Sequence, residues 1–281
     1  LGRALAPIDL LIATWKGFIS ARGQYTRLNE LLKKVPAEKE PMQLPDPLGN
    51  LSVEQLIVVP PGSTIPILKN VTFAVSKGEL IGVVGPSGAG KSTLARSILG
   101  VWPIHSGTVR LDGADIAQWD RNMLGPFIGY LPQGVELFEG TISENIARFG
   151  AIDPEKVVAA ALKADVHEFI LRLPEGYDTI ISGTGGVLSG GQRQRIGLAR
   201  AVYGDVRLIV LDEPNSNLDD QGELALSQTL LRLKSEAITV LIISHRPSIL
   251  KVVDKVALMK EGVLIDFGST VEVLSKLQPK K

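Results

Sequence analysis

Cysteine is missing from all 281 residues. The chain therefore forms no disulfide, binds no metal through thiolates and uses no cysteine nucleophile, a composition compatible with a reducing compartment. Net charge is missing too, because 30 Lys and Arg offset 30 Asp and Glu. No basic excess of the kind that draws a protein to nucleic acid is present. There is no run of about 18 apolar residues, so the chain as given does not cross a bilayer as a helix. No signal peptide with its cleavage pattern, no internal repeat and no low-complexity tract is recognisable. The first residue is Leu1 rather than a methionine, which leads us to expect a fragment or a processed product. The length suffices for a sizeable core, in one large domain or two small ones.

What is present begins with Gly85-Pro86-Ser87-Gly88-Ala89-Gly90-Lys91-Ser92, followed by Thr93. It reads G-x-x-x-x-G-K-S, a phosphate-cradling P-loop. Residues 80–84 before it are short, apolar and strand-like, and residues 93–99 after it are apolar at helical spacing, which is the context the motif requires. The glycines let the loop curl where a Cβ would clash. Its N–H groups, with the helix N-terminus, then converge on the phosphates of a nucleotide. Lys91 would reach the β- and γ-phosphates, and the Ser92 hydroxyl would ligate Mg2+.

Along the chain, residues 1–35 read as helix. Ile8, Leu11, Ile12, Trp15, Phe18 and Ile19 recur at three- and four-residue steps, Leu28, Leu31, Leu32 and Val35 continue them, and Pro36 ends them. Two readings stand: an amphipathic helix packed on its own domain or on a partner, or the cytoplasmic end of a membrane helix with an aromatic at the interface and positive charge inside. Residues 36–48, rich in proline and charge, read as a linker. From Leu51 to Val75 the chain turns β-like, with a turn at Pro60 to Ser63 suggesting antiparallel strands. Further strands are expected around 108–111 and 128–133. Residues 135–206 change character: 155–173 carry alanine and leucine at helical spacing, with Asp153 as N-cap and Pro154 in the first helical position. Residues 208–211 and 239–243 are continuous apolar runs, as in parallel strands covered on both faces. A hairpin around Glu261 and Gly262 finishes the pattern.

Ligands in α/β sheets bind at the carboxyl ends of the strands. Asp212 and Glu213 end one buried run, and as strand neighbours they are expected to point to opposite sides. Asp212 would hold the Mg2+ shell and Glu213 would polarise an attacking water. Four apolar residues leading into the pair argue against a merely solvated acidic strand end. His245 ends the next run and could orient that water, whereas His105 and His167 read as ordinary surface or packing residues. In Leu188-Ser189-Gly190-Gly191-Gln192, Ser189 can cap the following helix, and the bare glycine backbone makes a second phosphate cradle. One nucleotide does not need two cradles far apart in sequence. The second is expected to serve the nucleotide of another protomer in a head-to-tail dimer.

Taken together these motifs resemble the ATP-binding cassette (ABC) of ABC transporters over residues 49–275. The chain has a Walker A (Gly85 to Ser92), a Q-loop glutamine (Gln133), the signature (188–192), a Walker B (208–212 with Glu213), a D-loop (Ser216 to Asp219) and a switch histidine (His245). The resemblance implies an α/β fold: a RecA-like P-loop NTPase core, an antiparallel β subdomain and a helical subdomain at about 135–206, with a short tail at 276–281. It implies ATP and Mg2+ as cofactors, with Gln133 touching the ion and water and with Asp219 lying across a homodimer interface. Residues 136–146 look like the exporter pattern after the Q-loop. Trp102-Pro103, Trp119-Asp120-Arg121, Gly129 to Gln133 and Glu213 to Asp219 together are similar to type I secretion exporters, particularly the PrtD-like protease exporters. On that resemblance residues 1–35 are the cytoplasmic end of the last transmembrane helix. The protein would then work at the cytoplasmic face of the bacterial inner membrane. Its partners would be its own transmembrane domain, a periplasmic adaptor and an outer-membrane channel, and its substrate an unfolded polypeptide; no nucleic acid is expected. The alternative is a soluble ABC ATPase acting as a nucleotide switch in DNA repair or translation. Two departures stand out: no aromatic lies near Val59 or Pro60 to stack on adenine, and Gly183 occupies a place where exporters often carry a glutamate.

Overall fold

The computed structural model describes residues 2–34, 44–60, 62–181 and 188–277. The chain divides into two compact units, Leu1–Pro41 and Met42–Lys281. The described part of the first is one helix, α1 (Gly2–Lys34). Trp15 and Phe18, three residues apart and so on one face, stack with ring centroids 5.8 Å apart. Among the described residues no helix is long and apolar enough to cross a membrane. Much of the linker expected at 36–48, and all of 182–187 with Gly183, lie outside the described residues.

Among the described residues the strands lie in the second unit: β1 (Leu51–Val58), β2 (Leu68–Val75), β3 (Leu80–Val84), β4 (Ser106–Leu111), β5 (Ala114–Asp115), β6 (Ile128–Leu131), β7 (Gly140–Thr141), β8 (Ile180–Ile181), β9 (Leu208–Asp212), β10 (Thr239–Ile243), β11 (Lys255–Lys260) and β12 (Val263–Ser269). The helices between them are α2 (Lys91–Ile98), α3 (Arg121–Leu124), α4 (Ile142–Ile146), α5 (Pro154–Lys163), α6 (His167–Leu171), α7 (Gly190–Ala201), α8 (Asp220–Ser235), α9 (Pro247–Leu250) and α10 (Thr270–Leu277).

Among the described residues these strands form three sheets, in the orders β2-β1-β4-β5, β12-β11-β3-β10-β9-β6 and β7-β8. The first is antiparallel, and β1 slips register between Val53 and Leu56, where Gln55 turns to a φ of 48°. In the second sheet β11, β3, β10, β9 and β6 run parallel and β12 returns antiparallel. Every residue of β3, β9 and β10 is buried, as continuous apolar runs require when both faces are covered. Two cores sit against this sheet. Leu80, Ile209, Leu211 and Ile242 join α4, α5, α7 and α8 on one side; Ile81, Val83, Val210 and Leu241 join β1, β2, β4 and α2 on the other.

One expected helix is two. The periodic stretch at 155–173 breaks between α5 and α6, because Asp165 adopts a φ of 53°. The Val166 N–H donates to Ala161 O at 3.0 Å, the long bond of a Schellman ending. Asp153 caps α5 as its type suggests, accepting from the N–H groups of Glu155 and Lys156. The strand order has the consequence that matters for function. It brings the residues after β3, β10, β9 and β6 to one edge, and these are Gly85, His245, Glu213 and Gln133.

Candidate active site

The loop between β3 and α2 is fixed by close backbone approaches. Gly85 has a φ of 154°, and a Cβ there would lie 2.2 Å from Met259 O, so no other residue fits. Gly90, at a φ of 92°, stands at the N-cap of α2 and offers no side-chain cap, and the first turn holds no acid. The N–H groups of that turn and their positive dipole end are thus left for an anion. Ala89 is buried and donates to Pro86 O at 3.2 Å, while Pro86, Ser87 and Gly88 are exposed. Lys91 Nζ donates to Gly85 O at 2.8 Å and to Pro86 O at 2.9 Å, folding the ammonium over the cradle. Ser92 and Thr93 follow, both half-buried.

Asp212, at the end of β9, is 2% exposed. Its carboxyl is held above the ordinary range, first by burial; Ser92 hydrogen-bonds it and works against the shift, the Glu213 charge adds to it, and Arg96 and Lys91 lower it. Its Oδ1 is buried with no hydrogen-bond partner. A buried carboxylate oxygen left bare beside a serine hydroxyl, at the mouth of a phosphate cradle, fits a hard divalent cation that takes few protein ligands and shares phosphate oxygens. Among the described residues no group of three or more His, Asp or Glu could hold a metal alone.

Glu213 departs from the expected strand alternation. Its φ is 51°, so the strand ends at Asp212 and the backbone turns left-handed. The two acids are separated by that turn rather than by the pleat. Its N–H donates to Ile243 O at 2.9 Å, which anchors it to β10. Its Oε2 accepts from Gln133 Nε2 at 2.9 Å, joining the ends of β9 and β6. His245 is exposed, two residues beyond β10 on the same edge. Lys91, Ser92, Asp212, Glu213 and Gln133 are thus brought together, and His245 follows β10 at the same sheet edge.

The second cradle stands apart. Ser189 caps α7 in a reciprocal capping box: the Gln192 N–H donates to Ser189 Oγ at 3.2 Å and the Ser189 N–H to Gln192 Oε1 at 2.7 Å. Ser189, Gly190, Gly191 and Gln192 face a groove of about 620 Å³ that they share with Arg172, Arg195, Asn217 and Asp219 and with no P-loop residue. Asp219 caps α8 by accepting the Gly222 N–H at 2.9 Å, and Arg195 lies 3.9 Å from its carboxylate. Gln194, which the motif reading passes over, is 2% exposed and hydrogen-bonded to the segment after β9. Its only sequence signal is a third polar residue in a row where α7 must turn inward. Arg148 was passed over as well. Its guanidinium donates to the carbonyls of Gly125, Ile128, Arg200, Ala201 and Tyr203, and burial pushes it down to about 10. His167 packs on Tyr177, its Nδ1 2.8 Å from the phenol.

Comparison with known proteins gives a consistent picture. Residues 68–216 match the family model described as ABC transporter. The chain is 51% identical to the type I secretion system ATP-binding protein PrsD of Rhizobium meliloti (strain 1021), over 99% of this chain and 48% of that protein. It is 37% identical to the leukotoxin export ATP-binding protein LtxB of Aggregatibacter actinomycetemcomitans, over 97% of this chain and 39% of that one. The chain thus spans less than half the length of these relatives. Among solved structures, a bacterial Atm1-family ABC exporter with ATP bound aligns with a TM-score of 0.81 and 29% identity, covering 98% of this chain and 49% of that one.

Proposed function

The chain belongs to the ABC transporter family, and from that premise we propose that it is the ATP-hydrolysing part of a type I protein exporter. The observation that carries the chemistry is the bare, buried Asp212 Oδ1 next to Ser92 at an uncapped helix start. ATP is the substrate. Gly85, Pro86, Ser87, Gly88, Ala89, Gly90 and Thr93 cradle its phosphates, and Lys91 releases the Gly85 and Pro86 carbonyls to neutralise the β/γ oxygens. Ser92, Asp212 and Gln133 would hold Mg2+, which supplies charge neutralisation at the phosphates. Glu213 polarises the attacking water, with His245 orienting it.

One protomer leaves the triphosphate half enclosed, because Ser189, Gly190, Gly191 and Gln192 open on a different groove. A head-to-tail homodimer supplies the missing wall from the partner, with Asp219 of each copy at the seam. The identity to PrsD supports polypeptide export, and with it a place on the cytoplasmic face of a bacterial inner membrane. In that setting 1–35 is the end of the last transmembrane helix, 36–48 the linker, 49–275 the ATPase domain with its helical part at 135–206, and 276–281 the tail. The partners are then its own transmembrane domain, a periplasmic adaptor, an outer-membrane channel and an unfolded secreted chain. The relatives named above are secretion and export proteins, and they do not favour the soluble-switch alternative.

Nucleotide titration and phosphate release test this reading. Glu213→Gln should keep ATP affinity while turnover falls about 100-fold or more, the scale of a lost general base. Lys91→Ala should lose tight binding altogether. Unchanged turnover in both variants would overturn the proposal.

A further inference from the structure

Gln194 is a buried amide that the roles above leave unused. It lies in α7, two residues past the signature, and among the described residues its side chain bonds to the segment between β9 and α8. Nε2 donates to the Glu213 carbonyl at 3.2 Å and to Ser216 Oγ at 3.4 Å, and Oε1 accepts the Asn217 N–H at 3.1 Å. Asn217 in turn lies against the signature backbone, since a Cβ on Gly191 would sit 3.0 Å from Asn217 O and one on Gly190 3.5 Å from Asn217 Cβ. The segment so clamped starts at a strained point. A left-handed backbone is unfavourable for a non-glycine residue because its Cβ crowds the following carbonyl, and Glu213 sits there with a φ of 51°. Its N–H is tied to β10 and its carbonyl to α7, so the acid's attitude depends on where α7 stands.

We infer that Gln194 is a positioning residue that links the signature end of α7 to Glu213 of the same chain. The inference rests on the head-to-tail dimer proposed above. In that dimer the first turn of α7 meets the partner's nucleotide, whereas Glu213 serves the chain's own. A movement of α7 on closing over one nucleotide is therefore passed, through one buried amide, to the acid at the other. The two sites do not act independently.

Two substitutions and one wild-type measurement test this, on protein shown to dimerise with ATP. Gln194→Met removes all three bonds at similar volume. Gln194→Glu keeps the acceptor for the Asn217 N–H and loses the donors. Each is assayed for ATP Kd, kcat, the Hill coefficient for ATP and cooperative melting. A folded variant should keep Kd within twofold, lose kcat at least tenfold, and bring a Hill coefficient above one down toward one. In the wild type, hydrogen exchange at the Asn217 amide should slow when ATP closes the dimer. Wild-type kcat and Hill coefficient in a folded variant would overturn the inference. So would kcat and Kd worsening in step with melting, which marks a purely structural amide, or Asn217 exchange indifferent to ATP. A wild-type chain that binds ATP but never turns it over would instead overturn the proposed function, and this inference with it.

Discussion

Asp212 carries a burden in the nucleotide-free chain. Its pKa lies above the ordinary 3.8, chiefly because burial disfavours the carboxylate. A raised folded value means that the folded chain takes up a proton more readily than the unfolded one. Stability is therefore favoured where Asp212 is protonated, falls as pH climbs from the ordinary value through the raised one, and carries the full penalty above it. Asp212→Asn should raise the melting temperature of the nucleotide-free chain at neutral pH and flatten that part of its pH profile. The same variant should lose turnover at least tenfold and gain less thermal stability from ATP with Mg2+, by melting curves at pH 5 and pH 8. At this scale the sequence was most legible where side-chain chemistry names the job. Lys91, Ser92, Asp212 and Glu213 are distinctive residue types at fixed offsets from glycines and strand ends. It was least legible where backbone decides. Nothing in the order of residues announces that Glu213 turns left-handed, since that turn is held by Ile243 and Gln194, distant in the chain.

Helix starts are local devices, and the second cradle is one of them. Ser189 and Gln192 satisfy each other's N–H groups, so the first turn of α7 is organised by its own side chains. Ser189→Ala removes one side of the box and should cost about 1 kcal/mol. Its effect should be confined: faster amide exchange in the first turn of α7 and lower turnover, with ATP affinity at the P-loop of a single chain unchanged. A drop in that affinity would mean that the two cradles are not separate half-sites. Caps were readable in advance at Asp153 and Ser189 because their partners lie two or three residues away. The break at Asp165 was not, because alanine and leucine continue at helical spacing on both sides of it. There the backbone reverses and the Val166 N–H reaches back to Ala161, a gain that periodicity does not register. Arg148 escaped for a related reason: its five carbonyl partners come from the ends of β6 and α7 and the turn before β6, a cage that exists only after folding.

For the molecule as a whole, the continuous apolar runs of β9 and β10 identify a parallel sheet, the P-loop fixes β3 within it, and the hairpin at Glu261 and Gly262 gives the antiparallel return of β12; the order of the strands is set by contacts distant in the chain and was not legible. The expectation that follows from two separate cradles concerns mass. Glu213→Gln with ATP and Mg2+ should run at twice the mass of the same variant without nucleotide, in light scattering, and Lys91→Ala should not change mass under either condition. A Glu213→Gln chain that stays at the mass of one copy with ATP bound would place the missing wall elsewhere. At the same edge, Gln133 Nε2 donates to Glu213 Oε2 at 2.9 Å, so the ends of β6 and β9 are joined through the acid itself. On the proposed reading, that contact gives the short stretch after β6 a lever on the acid: whatever presses on the stretch also re-aims the group that works on water.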